Sequence, residues 1–280
     1  MNIKILSDST CDLSADLIAA NNISIVPLTV IKNEEQFKDG ITITPADIFA
    51  HVAAGGSLCT TSANSVGEYQ EIFAQYAPNF DGVIHINIGS GFSSCYQNAC
   101  LAAEDYPNVR VIDSQNLSTG QGLVVLKACE LAASCENLDE LADAIREYVT
   151  KVEASFVLDR LEYMVKGGRC SSAAALGANL LNLKPCIEVR NGKMSVVKKY
   201  RGNYAKCLAN YVKDRLNERE DLDHSTLFIT CTPISDDCYK TVTDTVAQYE
   251  PFNKVYETTA GCTVSCHCGP GTLGILFARK

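Results

Sequence analysis

Residues 83–88 read Val-Ile-His-Ile-Asn-Ile, with apolar positions set between His85 and Asn87, a pattern that predicts a strand. The strand breaks into Gly89-Ser90-Gly91-Phe92-Ser93-Ser94, and a helix-compatible run follows through residues 99–103. The same alternation of short apolar runs and helical segments fills the first half of the chain. Residues 3–6 predict a strand that leads into the polar loop Ser7-Asp8-Ser9-Thr10-Cys11-Asp12, and residues 13–20 predict a helix. Residues 23–30 predict a second strand, interrupted by Pro27. A turn is expected at 37–40, and Thr44-Pro45-Ala46-Asp47 opens a helix with proline in its first position. Residues 59–65 form a hydroxyl-rich loop before the helix that carries Tyr69, Ile72 and Phe73. Residues 109–114 predict another strand, and Gly120-Gln121-Gly122 leads into an apolar helix over 123–133. Strands alternating with helices argue for a parallel sheet covered on both faces.

The second half reads differently. Asn137-Leu138-Asp139-Glu140 is a helix start, and Leu138, Leu141, Ile145, Tyr148 and Val149 share one face of the helix after it. The pattern then changes at 151–154. Residues 156–158 predict a strand, 161–169 a short helix stopped by glycine, and 176–183 an apolar stretch ending before Pro185. Residues 186–190 and 193–198 flank Asn191-Gly192, the strongest short signal for a hairpin. A helix over 204–216, a strand over 226–230 and a helix over 241–249 follow, then Cys266-His267-Cys268-Gly269-Pro270-Gly271 and a final apolar run. The expected fold class is therefore α/β in two domains. Residues 1–152 hold a mainly parallel sheet flanked by helices, and residues 153–280 a mixed sheet with a hairpin and packed helices.

Composition narrows the classes of function. A net charge of -9 without any Lys/Arg-rich run argues against non-specific nucleic-acid binding. The first residues lack the apolar core of a signal peptide, and no apolar stretch approaches the roughly 20 residues of a membrane helix. A cytoplasmic location is expected. Fourteen cysteines fit a reducing compartment, most of them standing singly in apolar segments as small hydrophobes. Cys262, Cys266 and Cys268 cluster around His267. No C-x-x-C pair supports a zinc site, and neighbours in an extended segment point to opposite faces, so no metal is expected.

The candidate chemistry lies at the turn after residue 88 and in the 59–65 loop. A strand that turns through glycine and serine into a helix collects backbone N–H groups and hydroxyls at one point. That point suits an anionic or strongly polar head group. The alternative reading is that Ser90 and Ser93 only cap the helix.

An ordered set of segments carries a specific resemblance. Asp8-Ser9-Thr10-Cys11-Asp12-Leu13, Val26-Pro27-Leu28, Thr61-Ser62, the Ser93 turn with Tyr96 and Ala99, and Asp113-Ser114 resemble the DegV family in order and spacing. So do Lys166-Gly167-Gly168-Arg169, Leu183-Lys184-Pro185, Arg201 and the His267-x-Gly-Pro-Gly-Thr ending. The family consists of bacterial fatty-acid-binding proteins, some acting as the lipid-carrying subunit of a fatty acid kinase. The resemblance implies that Thr61, Ser62, Ser93 and Ser94 bind a long-chain fatty acid by its carboxylate, with His267 close to the head group. Arg169 and Arg201 would line the polar mouth, where an acyl phosphate or a kinase partner is met. The first domain would then supply the head-group loops, and the second the acyl tunnel, residues 173–183 among its walls, and the Arg/His mouth. No cofactor is implied beyond the fatty acid ligand. One departure stands out: Ser93-Ser94-Cys95-Tyr96 replaces the family's Ser-Gly-Thr-Tyr, so Ser94 must keep a negative φ and a threonine hydroxyl is lost at Cys95.

The competing class is an acyl hydrolase or transferase using Ser93 or Cys95 as nucleophile with His267 as base. Gly91-Phe92-Ser93-Ser94-Cys95 lacks the second glycine of a nucleophile elbow, and no third residue is evident to orient His267. A non-enzymatic carrier is the favoured expectation.

Overall fold

The structure, a computed structural model, describes residues 1–175, 183–249 and 251–280. The first sheet is wholly parallel, in the order Ser24–Val26, Ile3–Asp8, Gly82–Asn87, Val109–Asp113. The second has six strands in the order Lys193–Arg201, Leu183–Arg190, Val152–Val157, Leu273–Arg279, Leu222–Cys231, Lys254–Thr259. Its neighbours are antiparallel except the last pair. This is the α/β class expected, with a parallel sheet in the first half and a mixed one in the second. Asn191 and Gly192 both take left-handed φ, 50° and 70°, and close the hairpin with Arg190 opposite Lys193, as a two-residue loop of matching twist requires.

Pro27 does more than bend a strand. Ser24–Val26 pairs with the first strand of the parallel sheet, and after Pro27 the chain leaves it. Thr29–Lys32 then joins a small antiparallel sheet with Glu35–Lys38 and Thr60–Ser62. The turn expected at 37–40 therefore begins as a strand, and the hydroxyl-rich loop holds a strand at its centre.

The helix expected from residue 123 begins earlier, as Ser118–Ala132, and its glycines lie inside it. A Cβ at Gly122 would stand 2.8 Å from the Cys11 carbonyl oxygen, so glycine here allows close helix–loop approach rather than a turn. Gln121, fully buried beside it, donates from Nε2 to Ser7 Oγ (2.9 Å) and to the Ile86 carbonyl (3.1 Å), and accepts from Thr10 Oγ1 (2.8 Å). The helix is buried because it packs against both large sheets. One continuous core runs through it, from Ile5, Ile84 and Ile86 of the parallel sheet to Ala154, Phe156, Phe228 and Leu276 of the mixed one. The far face of the mixed sheet holds a separate core of Leu208, Tyr211, Val212, Ile229 and Phe277, under the helices Tyr204–Leu216 and Asp236–Val246.

The apolar stretch at 176–182 lies outside the described residues. Among the described residues no helix is long and apolar enough to cross a membrane.

Candidate functional site

A cavity of about 430 Å³ opens where the Ser93 turn, the Thr60–Ser62 strand, the hairpin and the C-terminal region meet. Its walls are understood from the segment carrying His267. Residues 262–268 form a helix, Cys262–Cys268, where an extended segment was expected. The helix has no side-chain cap of its own. Its first N–H groups are satisfied from the other end of the chain: Asp39 accepts from Cys262 N (2.9 Å), Thr263 N (3.1 Å) and Thr263 Oγ1 (2.7 Å), and Asp12 from Gly261 N (2.9 Å). Acidic side chains at a helix N-terminus favour helix over extended chain there. The helical spacing then sorts the residues. Thr263 and His267, and Val264 and Cys268, sit four apart and line the cavity. Cys262 and Cys266 face away into a small core with Val30, Ile43, Ile48 and Cys59. Among the described residues no group of His, Cys, Asp or Glu is placed to hold a metal.

His267 is half-buried, and its Nε2 lies 2.8 Å from Thr61 Oγ1. Desolvation, with the Arg169 guanidinium adding to it, pushes its pKa down to about 4, so the imidazole is neutral under ordinary conditions. Nδ1 is buried and among the described residues has no partner. A bare lone pair there costs less than an orphaned N–H, so the hydrogen is assigned to Nε2 and is donated to Thr61. The Thr61 hydroxyl hydrogen is thereby left free for the cavity. Thr61 itself is fixed by strand pairing opposite Val30.

The Ser93 turn is held from behind. Asp8, wholly buried, accepts from Ile88 N (3.0 Å), Tyr69 OH (3.0 Å) and Asn87 Nδ2 (3.1 Å), and His85 Nε2 lies 3.3 Å away. The polar loop that begins at Ser7 is therefore support, not lining, and His85, which carried no functional signal, belongs to that support. Ser90 is engaged by Asp113, which accepts from its N (3.0 Å) and Oγ (2.5 Å). Ser93 Oγ accepts from Cys95 N (3.3 Å) at the start of the helix Cys95–Ala103, and the residue lines the cavity. Its hydroxyl donates to Cys95 Sγ at 3.1 Å. Ser94 has φ -79°, so serine replaces glycine there without strain. Gly91 presses the turn against the hairpin: a Cβ at that position would lie 2.2 Å from the Gly192 carbonyl oxygen.

Thr61, Ser62, Ser93, Ser94, Arg169 and His267 all line this one cavity. Arg169 is exposed at its lip, donates from Nη1 to the Gly167 carbonyl (2.7 Å), and among the described residues has no carboxylate partner. Arg201 is not brought there. It is exposed at the end of the strand Lys193–Arg201, opposite Leu183. The remaining walls are mostly apolar: Leu28, Ile88, Phe92, Leu117, Met164, Met194 and Val264. Asn98 and Thr263 add polar edges that the sequence reading missed. Thr263 was legible only once its segment was known to be helical, as the residue one turn before His267.

Asp12 also bears on stability. Burial pushes its carboxyl up to about 8, the nearby Asp39 adding to the shift while bonds from Ser118 and Gly261 oppose it. The folded state therefore holds a proton that the unfolded chain releases near 3.8. Asp12's contribution to stability is fully present below that value, is lost as pH rises to about 8 and is level beyond. Asp12→Asn should flatten this decline, and urea midpoints of the two proteins across that pH range check it. A parallel decline in both would assign the loss to other groups.

A parallel βα sheet joined through a buried helix to a mixed sheet, with a hydroxyl-rimmed, mostly apolar cavity at the junction, defines an α/β protein with a site of small-molecule size. A family model described as an uncharacterised protein of the DegV family matches residues 2–280, and the chain belongs to that family. A DegV domain-containing protein of Clostridium acetobutylicum is 32% identical over 99% of each chain. Among solved structures, a DegV family protein from Thermus thermophilus, reported for fatty acid binding, superposes with a TM-score of 0.90 at 27% identity, covering 100% of both chains. DegV from Bacillus subtilis, described as a fatty acid binding protein, gives 0.82 at 26% identity, again over 100% of both.

Proposed function

We propose that this protein binds a long-chain fatty acid, with the carboxylate at Thr61, Ser62, Ser93, Ser94 and His267 and the tail along the apolar walls of the cavity. The observation that carries the reading is the meeting of these hydroxyls, drawn from two separated loops, with the neutral His267 in one otherwise greasy space of about 430 Å³, a size ordinary for small-ligand sites. The fatty-acid-binding relatives from Thermus thermophilus and Bacillus subtilis support it. His267 donating to Thr61 leaves the threonine hydroxyl to donate to the carboxylate, a charge-assisted bond. Each buried methylene adds about 0.8 kcal/mol, so the tail supplies most of the affinity and the head fixes orientation.

Arg169, exposed at the lip and without a carboxylate partner among the described residues, is the group that a phosphate on the head or a kinase partner would meet. Arg201, outside the cavity, serves only as a partner contact in this reading. A fatty acid kinase is the partner that the reading favours, and the protein is a carrier rather than a catalyst. The hydrolase reading is supported less. Burial pushes the Cys95 thiol up to about 11, away from the thiolate a nucleophile needs. His267 offers Nε2 to Thr61 rather than to Ser93, and among the described residues no acid orients Nδ1.

Mass spectrometry of an organic extract of the purified protein tests this. A near-stoichiometric fatty acid is expected; a covalent acyl adduct on Ser93 or Cys95 would instead establish the hydrolase.

A further inference from the structure

Beside the main cavity lies a second space of about 30 Å³, between the mixed sheet and the helices Ser118–Ala132 and Cys262–Cys268. Leu117, Val264 and Cys268 line both spaces and form the partition between them. The inner walls include Ala154, Phe156, Ala260 and Leu276, together with five hydroxyl residues. Those five hydroxyls would normally mark a wet, polar pocket. Here each is already engaged within the protein. Ser118 donates to Asp12 (2.6 Å), Ser155 pairs with Tyr211 OH (2.9 Å), and Thr230 sits between Thr119 (2.6 Å) and Thr258 (2.8 Å). Thr232 donates to the Gly269 carbonyl (2.8 Å) and accepts from Thr272 N (2.8 Å), while Thr272 Oγ1 donates to the Cys268 carbonyl (2.9 Å). What these residues leave for a guest is methyl and methylene surface. Such a chamber stays dry and takes an apolar group.

We propose that the terminal methyl end of the acyl chain enters this chamber between Leu117, Val264 and Cys268, and that Leu276 at its wall sets the longest chain accepted. This rests on the fatty-acid reading above and adds to it a chain-length ruler and a rejection of tails with a polar end. A hydroxyl placed on the terminal carbon would be buried where no free donor answers it.

The test is a competition series of saturated straight-chain acids of stepwise increasing length, run on the full-length wild type, Leu276→Ala and Leu276→Phe, with the ω-hydroxy acid added for wild type. Leu276→Ala should move the preferred chain longer by about two carbons, since it opens space that collapses only in part. Leu276→Phe should move it shorter. In wild type the ω-hydroxy acid should bind at least about tenfold more weakly than its parent. An unchanged length preference in Leu276→Ala, or an ω-hydroxy acid bound as tightly as its parent, overturns the ruler while leaving the carrier reading standing. A wild type that binds no acid of any length overturns both. Should a Leu276 variant fail to fold, Leu276→Val and Leu276→Met, smaller changes of volume at the same position, carry the length comparison in its place.

Discussion

An Asp39→Ala protein should be less stable than wild type by about 3 kcal/mol or more, among the larger effects a single substitution gives here. Asp39 is buried and accepts from Ser9 Oγ (3.0 Å) as well as from Cys262 N, Thr263 N and Thr263 Oγ1. Removing it strands these donors out of reach of water, each at the cost of desolvation without a partner. The same change releases the first turn of the helix that carries His267, so retention of fatty acid should fall with stability. Urea unfolding measures the first effect, and quantifying acid in the purified protein measures the second. A loss below about 1 kcal/mol would show that the helix is held by its packing and not by this cap.

The second large effect concerns Gly167, the last residue of the helix Glu162–Gly167. By helix propensity alone, alanine there should be neutral or mildly stabilising. The structure predicts the opposite for function, because a Cβ at 167 would lie 2.4 Å from His267 Nδ1. The ring is hemmed in, with Nε2 at Thr61, and has to shift when the methyl arrives. Gly167→Ala should therefore reduce fatty-acid affinity by about tenfold, the worth of roughly one good hydrogen bond in this setting, and cost about 1 kcal/mol of stability as the ring is displaced. Affinity equal to wild type in a normally folded Gly167→Ala protein would show that the contact between His267 and Thr61 does not shape the head site.

Much of the fold was legible because local signals agreed with tertiary packing. Asn191-Gly192 forms the hairpin turn it encodes, and the alternation of strands and helices in the first half gives the parallel sheet. Pro27 was readable as a break but not as a change of sheet, since the destination of Thr29–Lys32 depends on pairing with Thr60–Ser62, a strand only three residues long. The helix Cys262–Cys268 was the least legible element. Cys, Thr, Ser, Val and His are indifferent helix formers, and the caps that favour the helix come from Asp12 and Asp39, 249 and 223 positions away. Its sorting of Cys262 and Cys266 from Thr263 and His267 was invisible for the same reason.

The candidate site divides along the same line. Thr61, Ser62, Ser93, Ser94, Arg169 and His267 come to one cavity although they lie on separate segments. Arg201 shares a strand with Met194, which lines the cavity, but seven residues at about 3.3 Å each carry it roughly 23 Å further along. Adjacency in a motif list says nothing of that distance. That Asp8, Tyr69, Asn87 and His85 form one supporting shell was not legible, because a buried hydrogen-bond network has no period in sequence.

The central claim is that hydroxyls from the Thr60–Ser62 strand and from the turn before Cys95 together grip one carboxylate. Titrating a long-chain fatty acid into wild type and into a folded Thr61→Ala, Ser93→Ala double variant tests it most directly. Loss of two charge-assisted bonds should weaken binding by about a hundredfold or more. Equal affinity in the two proteins would place the head group elsewhere and contradict the account.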